Sequence, residues 1–324
     1  MITYGKLTQR PQAAKSLIGM TLSEFDDLYA EFAIVYAERQ MGETKTKRGK
    51  QRRQRAVGAG AKYKHSLRDR LLMTLFWLRA YMTYEVLGFF YELDKTNIED
   101  NLKDVLATLE AMTSFTYDHP QGRKQKLRSV AAVMDAFPDV RLVIDAKEQR
   151  TQRPKNGKDD QGNTQDRQKP YYSGKKKAHT LKNQFAVRPD GFIEHVSDSV
   201  PGGSNHDLNL LRQTDLLSSL SEDEAAMLDK GYDGIQNDYP ERQIYQPFKA
   251  RRNKPLTDVQ KAYNRFLSSY RIVVEHTLAQ VNRFEVLRQV YRHKRENHTQ
   301  IVRIVSGLVN RRIQTVPLKS YSLA

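Results

Sequence analysis

The stretch RLVID, from Arg141 to Asp145, decides how the second half of the chain is interpreted. Its three central residues are apolar and consecutive, which is typical of a buried central strand. Because the run ends in an acidic residue, we expect the strand to present the Asp145 carboxylate at its end. Similar short apolar runs, separated by turn residues, follow at residues 184–187, 192–196 and 226–228. From residue 137 onward the sequence therefore predicts a mixed α/β domain.

A second stretch of the same kind, AAMLD, runs from Ala225 to Asp229, and Gly231 follows two residues later. Glycine permits a sharp exit from a strand, so two strands can present Asp145 and Asp229 side by side. Clustered carboxylates are costly unless they face water or hold a divalent cation. Taken singly, each acid is also explained as a turn residue, a helix cap or an ion-pair partner.

Glu275 is the candidate for a third carboxylate. Residues 257–283 have the apolar spacing of a helix, and Glu275 lies one turn after Arg271, which could orient or neutralise it. Hard oxygen ligands select Mg²⁺ or Mn²⁺. Two such ions can activate the attacking oxygen and stabilise the leaving oxygen of a phosphodiester displacement. The strand, strand, helix order thus makes a nuclease that uses two metal ions the leading hypothesis.

The first 136 residues are predicted to form an all-α domain. Helical spacing of apolar residues recurs at 21–37, 71–81, 83–91 and 98–109. Ser66 and Asp69 form a capping-box pattern before the second of these helices. The last two helices are interpreted either as a helix-turn-helix DNA reader or as two core helices of a helical cap. Against the reader, the final helix carries acids that are unfavourable beside phosphates, namely Glu99, Asp100, Asp104 and Glu110.

The charge of the chain points to a polyanionic partner. Lys and Arg number 54 against 38 Asp and Glu, which gives a formal charge of +16 and a pI near 9.7. Nucleic acid is the first candidate, and a merely soluble basic protein is the alternative. Three segments are interpreted as contacts to a phosphate backbone. The first is an arm at 45–64 with Lys47, Arg48, Lys50, Arg52, Arg53 and Arg55. The second is a loop with Lys175, Lys176, Lys177, His179 and Lys182, for which a solvated hairpin is the alternative interpretation. The third is a C-terminal patch with Arg292 and Lys294.

Two further segments carry local expectations. Residues 152–173 are polar, with almost no aliphatic side chains, and are predicted to form a long exposed loop. His206 and Asp207 follow a Pro-Gly-Gly turn and either lie near the metal site or cap a helix at 208–216. Of these alternatives, capping by Asp207 is preferred.

Several classes of protein are excluded by what the sequence lacks. The chain has no cysteine, which rules out disulfides, thiolate zinc sites and cysteine nucleophiles. No apolar run is long enough to cross a membrane, and the first residues lack the apolar core of a signal peptide. The expected protein is soluble and intracellular, with no membrane partner.

Five motifs together resemble bacterial insertion-sequence transposases with a DDE nuclease domain, which are related to the Harbinger group. The resemblance spans most of the chain, and the motifs occur in the same order. They are VID at 143–145, YSGKKKAHTLKN at 172–183, PGGSNHD at 201–207, LDKGYDG at 228–234 and RIVVEH at 271–276. The sequence departs from the family pattern after the first acid, at Ala146-Lys147, but the carboxylate itself is present.

The resemblance implies a fold, a reaction and partners. It implies an RNase H-like catalytic domain at 137–324, preceded by a helix-turn-helix-like domain at 1–136. Asp145, Asp229 and Glu275 would be the catalytic DDE metal ligands, holding two Mg²⁺ or Mn²⁺ ions, and Arg271 would contact DNA. The substrate would be double-stranded DNA at terminal inverted repeats, cleaved and then transferred to target DNA. A homodimer associated with the nucleoid in the cytoplasm is expected.

Two other functions remain open from the sequence. One is a domesticated DNA-binding protein that kept the fold without catalysis, against which the three intact acids count. The other is a host nuclease of RNase H-like fold, against which the insertion-sequence motifs count.

Overall fold

The computed structural model describes residues 1–42, 63–112, 139–158, 164–250, 252 and 255–315. The chain divides into two compact units. Unit 1 comprises Met1–Thr116, Arg283–Val286 and Arg303–Leu308, and unit 2 comprises Tyr117–Asn282, Leu287–Val302 and Val309–Ala324. The basic arm, with the candidate DNA contacts Lys47, Arg48, Lys50, Arg52, Arg53 and Arg55, lies outside the described residues apart from its end at 63–64.

Helices form the N-terminal part of the chain, as the spacing predicts. They are α1 (Tyr4–Thr8), α2 (Ala13–Ile18), α3 (Leu22–Gly42), α4 (Leu67–Ala80), α5 (Tyr84–Tyr91) and α6 (Lys95–Ala111). The Ser66 cap is confirmed, since its hydroxyl accepts a hydrogen bond from the Asp69 amide at 3.1 Å. Helix α4 is the buried element of this unit, and Trp77 on it is 2% exposed.

The last two helices of this group are joined by a tight turn. Helix α5 ends because Glu92 adopts a left-handed conformation with φ of 54°. Helix α6 begins at once, with the Asp94 side chain accepting a hydrogen bond from the Asn97 amide. One of its acids faces inward, because Asp104 pairs with the buried guanidinium of Arg70 at 2.6 Å. The acidic surface of α6 is therefore smaller than the sequence indicates.

A curled mixed sheet lies in unit 2, which confirms the α/β expectation. Its strands are β1 (Val140–Arg150), β4 (Tyr172–Ser173), β5 (Ala178–Val187), β6 (Ile193–Val196), β7 (Val200–Pro201), β8 (Ala225–Met227) and β9 (Gln243–Tyr245). The order is β4-β5-β1-β8-β9, and β6 and β7 also pair with β5. Strand β1 is antiparallel to β5 and parallel to β8, and β8 is parallel to β9. The apolar parts of β1 and β8, at 142–144 and 225–227, are buried.

Strand β1 is longer than predicted. The sequence pattern ends it at Asp145, but it continues to Arg150, because β5 supplies antiparallel partners from Val143 onward. Its parallel pairing with β8 reaches only Val143. Asp145 therefore lies in the middle of a strand, just past the last residue that pairs with β8.

Residues 152–173 contain more structure than the predicted loop. Their described part includes a short hairpin of β2 (Gly157–Lys158) and β3 (Thr164–Gln165) and a 3-10 turn at Lys169–Tyr171. Polar composition hides this hairpin, because two-residue strands have no apolar period to detect.

The later helices are α7 (Asp207–Thr214), α8 (Asp258–Val281), α9 (Glu285–Arg288) and α10 (His298–Thr315). Helix α8 begins with a capping box between Thr257 and Gln260. It packs against β1 and β5, with Leu267, Val274 and Val281 buried on the face toward the sheet. No helix in the described ranges is both long and apolar enough to span a membrane.

Candidate active site

Asp145 and Asp229 are brought side by side by the register of two parallel strands. Val143 of β1 pairs with Met227 of β8, and each aspartate follows its paired residue by two positions. Beyond Met227 the chain leaves the sheet in a 3-10 turn, and the Asp229 carboxylate accepts a hydrogen bond from the Gly231 amide at 2.7 Å. The Asp145 carboxylate accepts one from the Ala146 amide at 2.8 Å.

Arg271 of α8 faces both carboxylates. Its Nη2 lies 3.9 Å from Oδ2 of Asp145 and 3.6 Å from Oδ2 of Asp229. The side chain of Arg271 is 14% exposed, and its Nε is buried without a hydrogen-bond partner. The sequence suggests Arg271 as a partner of Glu275, and the structure instead places it against the two aspartates.

Negative charge is in excess around Asp145. Burial raises the pKa of the Asp145 carboxyl, and the carboxylates of Asp229 and Asp207 raise it further. The Ala146 amide and the Arg271 guanidinium act in the opposite direction without cancelling the effect. Because these surroundings disfavour the ionised form of Asp145, a further cation bound beside it would stabilise the carboxylate.

Asp207 belongs to this cluster, and the expectation that it caps α7 is wrong. The residue at the N-cap is His206, whose side chain makes no capping bond, and Asp207 is the first helical residue. Its Oδ1 accepts a hydrogen bond from the Lys182 ammonium at 2.9 Å. A partly buried lysine opposite the helix start attracts the carboxylate away from the amides of the first turn.

Lys182 is held inside the site. Its side chain is 7% exposed, and besides Asp207 it pairs with Oε1 of Glu148 at 3.4 Å and donates to the carbonyl of Asn205 at 2.7 Å. A direct contact with a phosphate backbone needs an exposed ammonium, so this position does not suit the role expected from the sequence. Burial in strand β5 is the reason, since Lys182 pairs with Glu148 across the β1–β5 ladder.

Two glycines of the motifs owe their identity to close approach. A Cβ at Gly231 would lie 2.9 Å from Oδ2 of Asp207, and one at Gly203 would lie 2.3 Å from the carbonyl oxygen of Tyr172. The first contact brings Asp207 against the turn that holds Asp229. Sequence reasoning gave a position near the metal site only as the alternative to capping for Asp207, and it missed Glu148.

Glu275 lies on α8, and within the described residues it does not join Asp145 and Asp229 in a group that could hold a metal ion. It is exposed, and within the described ranges no ion pair involves it. Arg271, one turn earlier, faces Asp145, and Leu278, one turn later, lines a cavity that Asp207 also lines. The three residues share a face of the helix by their spacing, so Glu275 lies between a residue that faces both aspartates and one that lines the cavity.

The candidate DNA contacts that the structure describes lie in the turn between β4 and β5, in β5 and after residue 291. Lys175, Lys176 and Lys177 are exposed in the turn that joins β4 to β5, and Arg292 and Lys294 are exposed after the bridge between Thr151 and Tyr291. His179 is half-buried, with its ring edge against Tyr172.

Burial and the Lys176 ammonium lower the pKa of Lys147 to about 8. Positive charge is therefore crowded next to the acidic cluster.

The donor set fits a divalent cation by its chemistry. Within the described residues, no three Asp, Glu or His side chains converge closely enough to form a metal site on their own. Asp145 and Asp229 do present oxygens to the same positively charged nitrogen, and carboxylate oxygens are the ligands that Mg²⁺ and Mn²⁺ prefer. The pair thus supplies two suitable ligands in a setting where burial and neighbouring carboxylates raise the pKa of Asp145.

Comparison with known proteins identifies similar sequences. Residues 144–310 match the family described as DDE superfamily endonuclease. The chain is also 27% identical over 251 residues to a probable transposase for insertion sequence element IS702 from Microchaete diplosiphon, in an alignment that covers 78% of this chain and 82% of that protein. No solved structure gave a significant match.

Proposed function

The chain belongs to the DDE superfamily of endonucleases, and we infer that it is the DNA transposase of an insertion sequence. The family makes it a metal-dependent DNA endonuclease, and the similarity to an insertion-sequence transposase over most of both chains supports the transposition reaction. The formal charge of +16 suits a DNA substrate. The reaction is cleavage of phosphodiester bonds at the ends of the element, followed by strand transfer to target DNA.

The observation that carries this function is the pair of carboxylates at equivalent positions of adjacent parallel strands. Asp145 and Asp229 both face Arg271, so they act on a common point rather than as separate surface acids. We assign both as metal ligands and catalytic residues. We propose Glu275 as the third ligand, because its spacing puts it on the same face of α8 as Arg271, one turn away.

Each residue of the site would have a separate role in metal binding or substrate positioning. Asp145 and Asp229 would hold Mg²⁺ or Mn²⁺ from the strands, and Glu275 would complete the set from α8. Two ions bound there would supply an activated attacking oxygen and stabilisation of the leaving oxygen. Arg271 would direct its guanidinium toward the non-bridging oxygens of the scissile phosphate, which a planar fork of donors suits. The hydrogen bonds from Ala146 and Gly231 orient the two aspartates.

The remaining assignments follow from the transposition reaction. We assign the catalytic domain to residues 137–324 with an RNase H-like fold, and residues 1–136 to DNA binding. The substrates are the terminal inverted repeats and the target DNA in the nucleoid. A homodimer is proposed because two ends must be cut and joined together, and each active site acts on one end.

The test is cleavage of labelled element-end DNA by purified protein in Mn²⁺ or Mg²⁺. The Asp229→Asn and Glu275→Gln variants should cleave at least about 100-fold more slowly, since each loses a charged ligand of the reacting centre. Two matched controls lose the same charge outside the site: Asp223→Asn, in the turn before β8, and Asp258→Asn, at the exposed start of α8. Both controls should retain activity.

Each part of the assignment has its own failing result. Equal cleavage by wild type and Asp229→Asn would refute the carboxylate pair, and full activity of Glu275→Gln would remove only the third ligand. Cleavage without any divalent metal would overturn the metal mechanism. A wild-type protein that binds its element ends but never cuts them would be a DNA-binding protein rather than a transposase.

A further inference from the structure

A groove opens beside the carboxylate pair in unit 2. Its volume is about 560 Å³, and its lining includes Ala146, which directly follows Asp145, and Asp207, whose carboxylate acts on Asp145. Helix α8 contributes Leu278 to the lining, on the face that also carries Arg271. The groove therefore adjoins the proposed active site, and Asp145, Asp229 and Arg271 lie outside its lining.

The groove has an excess of positive charge toward solvent. Arg150, Lys175, Lys176 and Arg288 line it and are exposed. Its acids, Glu148 and Asp207, are less exposed. A ligand entering from solvent meets the basic side chains first.

Glu148 and Asp207 form the floor of the groove, and Lys182 determines how much negative charge they present. Its ammonium pairs with both Glu148 and Asp207 from the buried side, so the two acids are neutralised in part by a residue that never reaches the ligand. Without this buried cation, Glu148 and Asp207 would repel a polyanion that approaches past the exposed basic side chains of the groove. The arrangement accounts for a lysine that lies inside the site and makes no exposed contact.

The size and lining of the groove indicate the ligand. Its volume falls within the range of about 300 to 1,000 Å³ that is typical of sites for small molecules, which suits a nucleotide unit and not a duplex. Leu278 and the buried Leu287 contribute apolar atoms to its lining. A positively charged groove that follows the phosphate backbone is one component of single-strand binding.

We propose that this groove binds a single DNA strand next to the scissile phosphate, with Arg150, Lys175, Lys176 and Arg288 contacting its backbone. Resting on the proposed function, the inference adds a binding site and a substrate class: the site accepts unpaired nucleotides adjoining the cleavage point. Arg150 and Arg288 become phosphate contacts that no sequence motif indicates. Lys182 becomes a positioning residue that acts through Glu148 and Asp207.

The experiment compares two fluorescent probes in the absence of divalent metal, so that binding is measured without cleavage. One is a blunt element-end duplex, and the other is the same duplex with a single-stranded extension at the cleavage point. Fluorescence anisotropy gives the Kd of each at several salt concentrations. The test variant is Arg150→Ala with Lys176→Ala. The control is Arg212→Ala with Lys261→Ala, which removes the same charge from exposed positions that do not line the groove.

The expected loss follows from counterion release. Each lost phosphate contact lowers the slope of log K against log salt by about 0.7 for a single strand, so two contacts weaken binding by roughly 25-fold at 0.1 M salt. The test variant should show this loss on the extended probe and little loss on the blunt duplex. The control variant should bind both probes as wild type does. Both variants change exposed side chains, so their thermal unfolding should match that of the wild type.

Each other outcome has a defined meaning. Wild-type affinity of the test variant for the extended probe would overturn the inference, and so would an equal loss on both probes, because the groove would then not select a single strand. A wild-type protein that binds neither probe would instead overturn the proposed function. The two failures are distinguished by the wild-type measurement alone.

Discussion

Replacing Lys182 with methionine tests the role of the only side chain described here that joins the two floor acids of the groove. The substitution keeps the length of the side chain and removes the ammonium that pairs with Glu148 at 3.4 Å and Asp207 at 2.9 Å. Removing one partner of a buried ion pair costs about 3 to 5 kcal/mol. Asp207 is 31% exposed and Glu148 is 11% exposed, so water relieves part of the penalty and we expect about 3 kcal/mol.

The assay is thermal unfolding followed by circular dichroism, supported by unfolding in urea. A loss of about 3 kcal/mol lowers the Tm by roughly 6 to 12 °C in a protein of this size class. A second variant removes the stranded charges as well, by combining Lys182→Met with Glu148→Gln and Asp207→Asn. Because no unpaired charge remains in it, this triple variant should recover most of the lost stability.

The comparison of the two variants decides the cause. If the single and triple variants are equally destabilised, the loss comes from the hydrogen bond to Asn205 and from packing, and the electrostatic reasoning is refuted. If Lys182→Met unfolds as the wild type does and only DNA affinity falls, Lys182 contacts DNA directly, as the sequence indicates.

Three further predictions concern stability, packing and metal binding. Burial, together with the Lys147 ammonium, lowers the pKa of His298 to about 3, so the folded state favours the neutral imidazole. The free energy of unfolding should therefore fall by about 2 kcal/mol between pH 6.5 and pH 5. Urea unfolding should show this loss for the wild type and not for His298→Gln. Gly231→Ala places a Cβ 2.9 Å from Asp207 and should lower the free energy of unfolding by about 1 kcal/mol. Gly174→Ala, whose Cβ has nothing within 4 Å, should lower it less. Equal losses of stability in thermal unfolding would refute the packing argument. Mn²⁺ at a hundredfold excess over its Kd should stabilise the wild type by about 2.7 kcal/mol and leave Asp145→Asn unchanged in calorimetry, and equal stabilisation of both would show that the ion binds elsewhere.

Local patterns in the sequence predicted most of the elements around the site. The capping of α4 by Ser66 and the start of α8 at Thr257 follow from bonds between residues three positions apart. The spacing of each aspartate after an apolar run predicted that two strands would present carboxylates together. This works because a parallel pair of strands keeps equal steps from a common register. The family likewise followed from motifs in order along the chain.

Other features escaped the sequence because their partners are distant in the chain. The continuation of β1 past Asp145 depends on the antiparallel partner β5, and the apolar run alone does not show it. Asp207 was interpreted as a helix cap because it precedes an apolar helix. In the structure Lys182, 25 residues away, donates to the Asp207 carboxylate in place of the helix amides. An ion pair inside a fold overrides a local capping preference that is worth only about 1 kcal/mol.

Short-range patterns were enough to predict the class of protein, most of the helical and strand segments, and the two aspartates that follow equivalent apolar runs. These are properties of neighbouring residues, and local periodicity and motif order contain them. The folded chain was needed to show that Arg271 faces both aspartates, that Lys182 is buried between Glu148 and Asp207, and that a basic groove adjoins the site. Charge, burial and pairing depend on which residues the folded strands and helices bring together, and spacing along the chain does not specify these contacts.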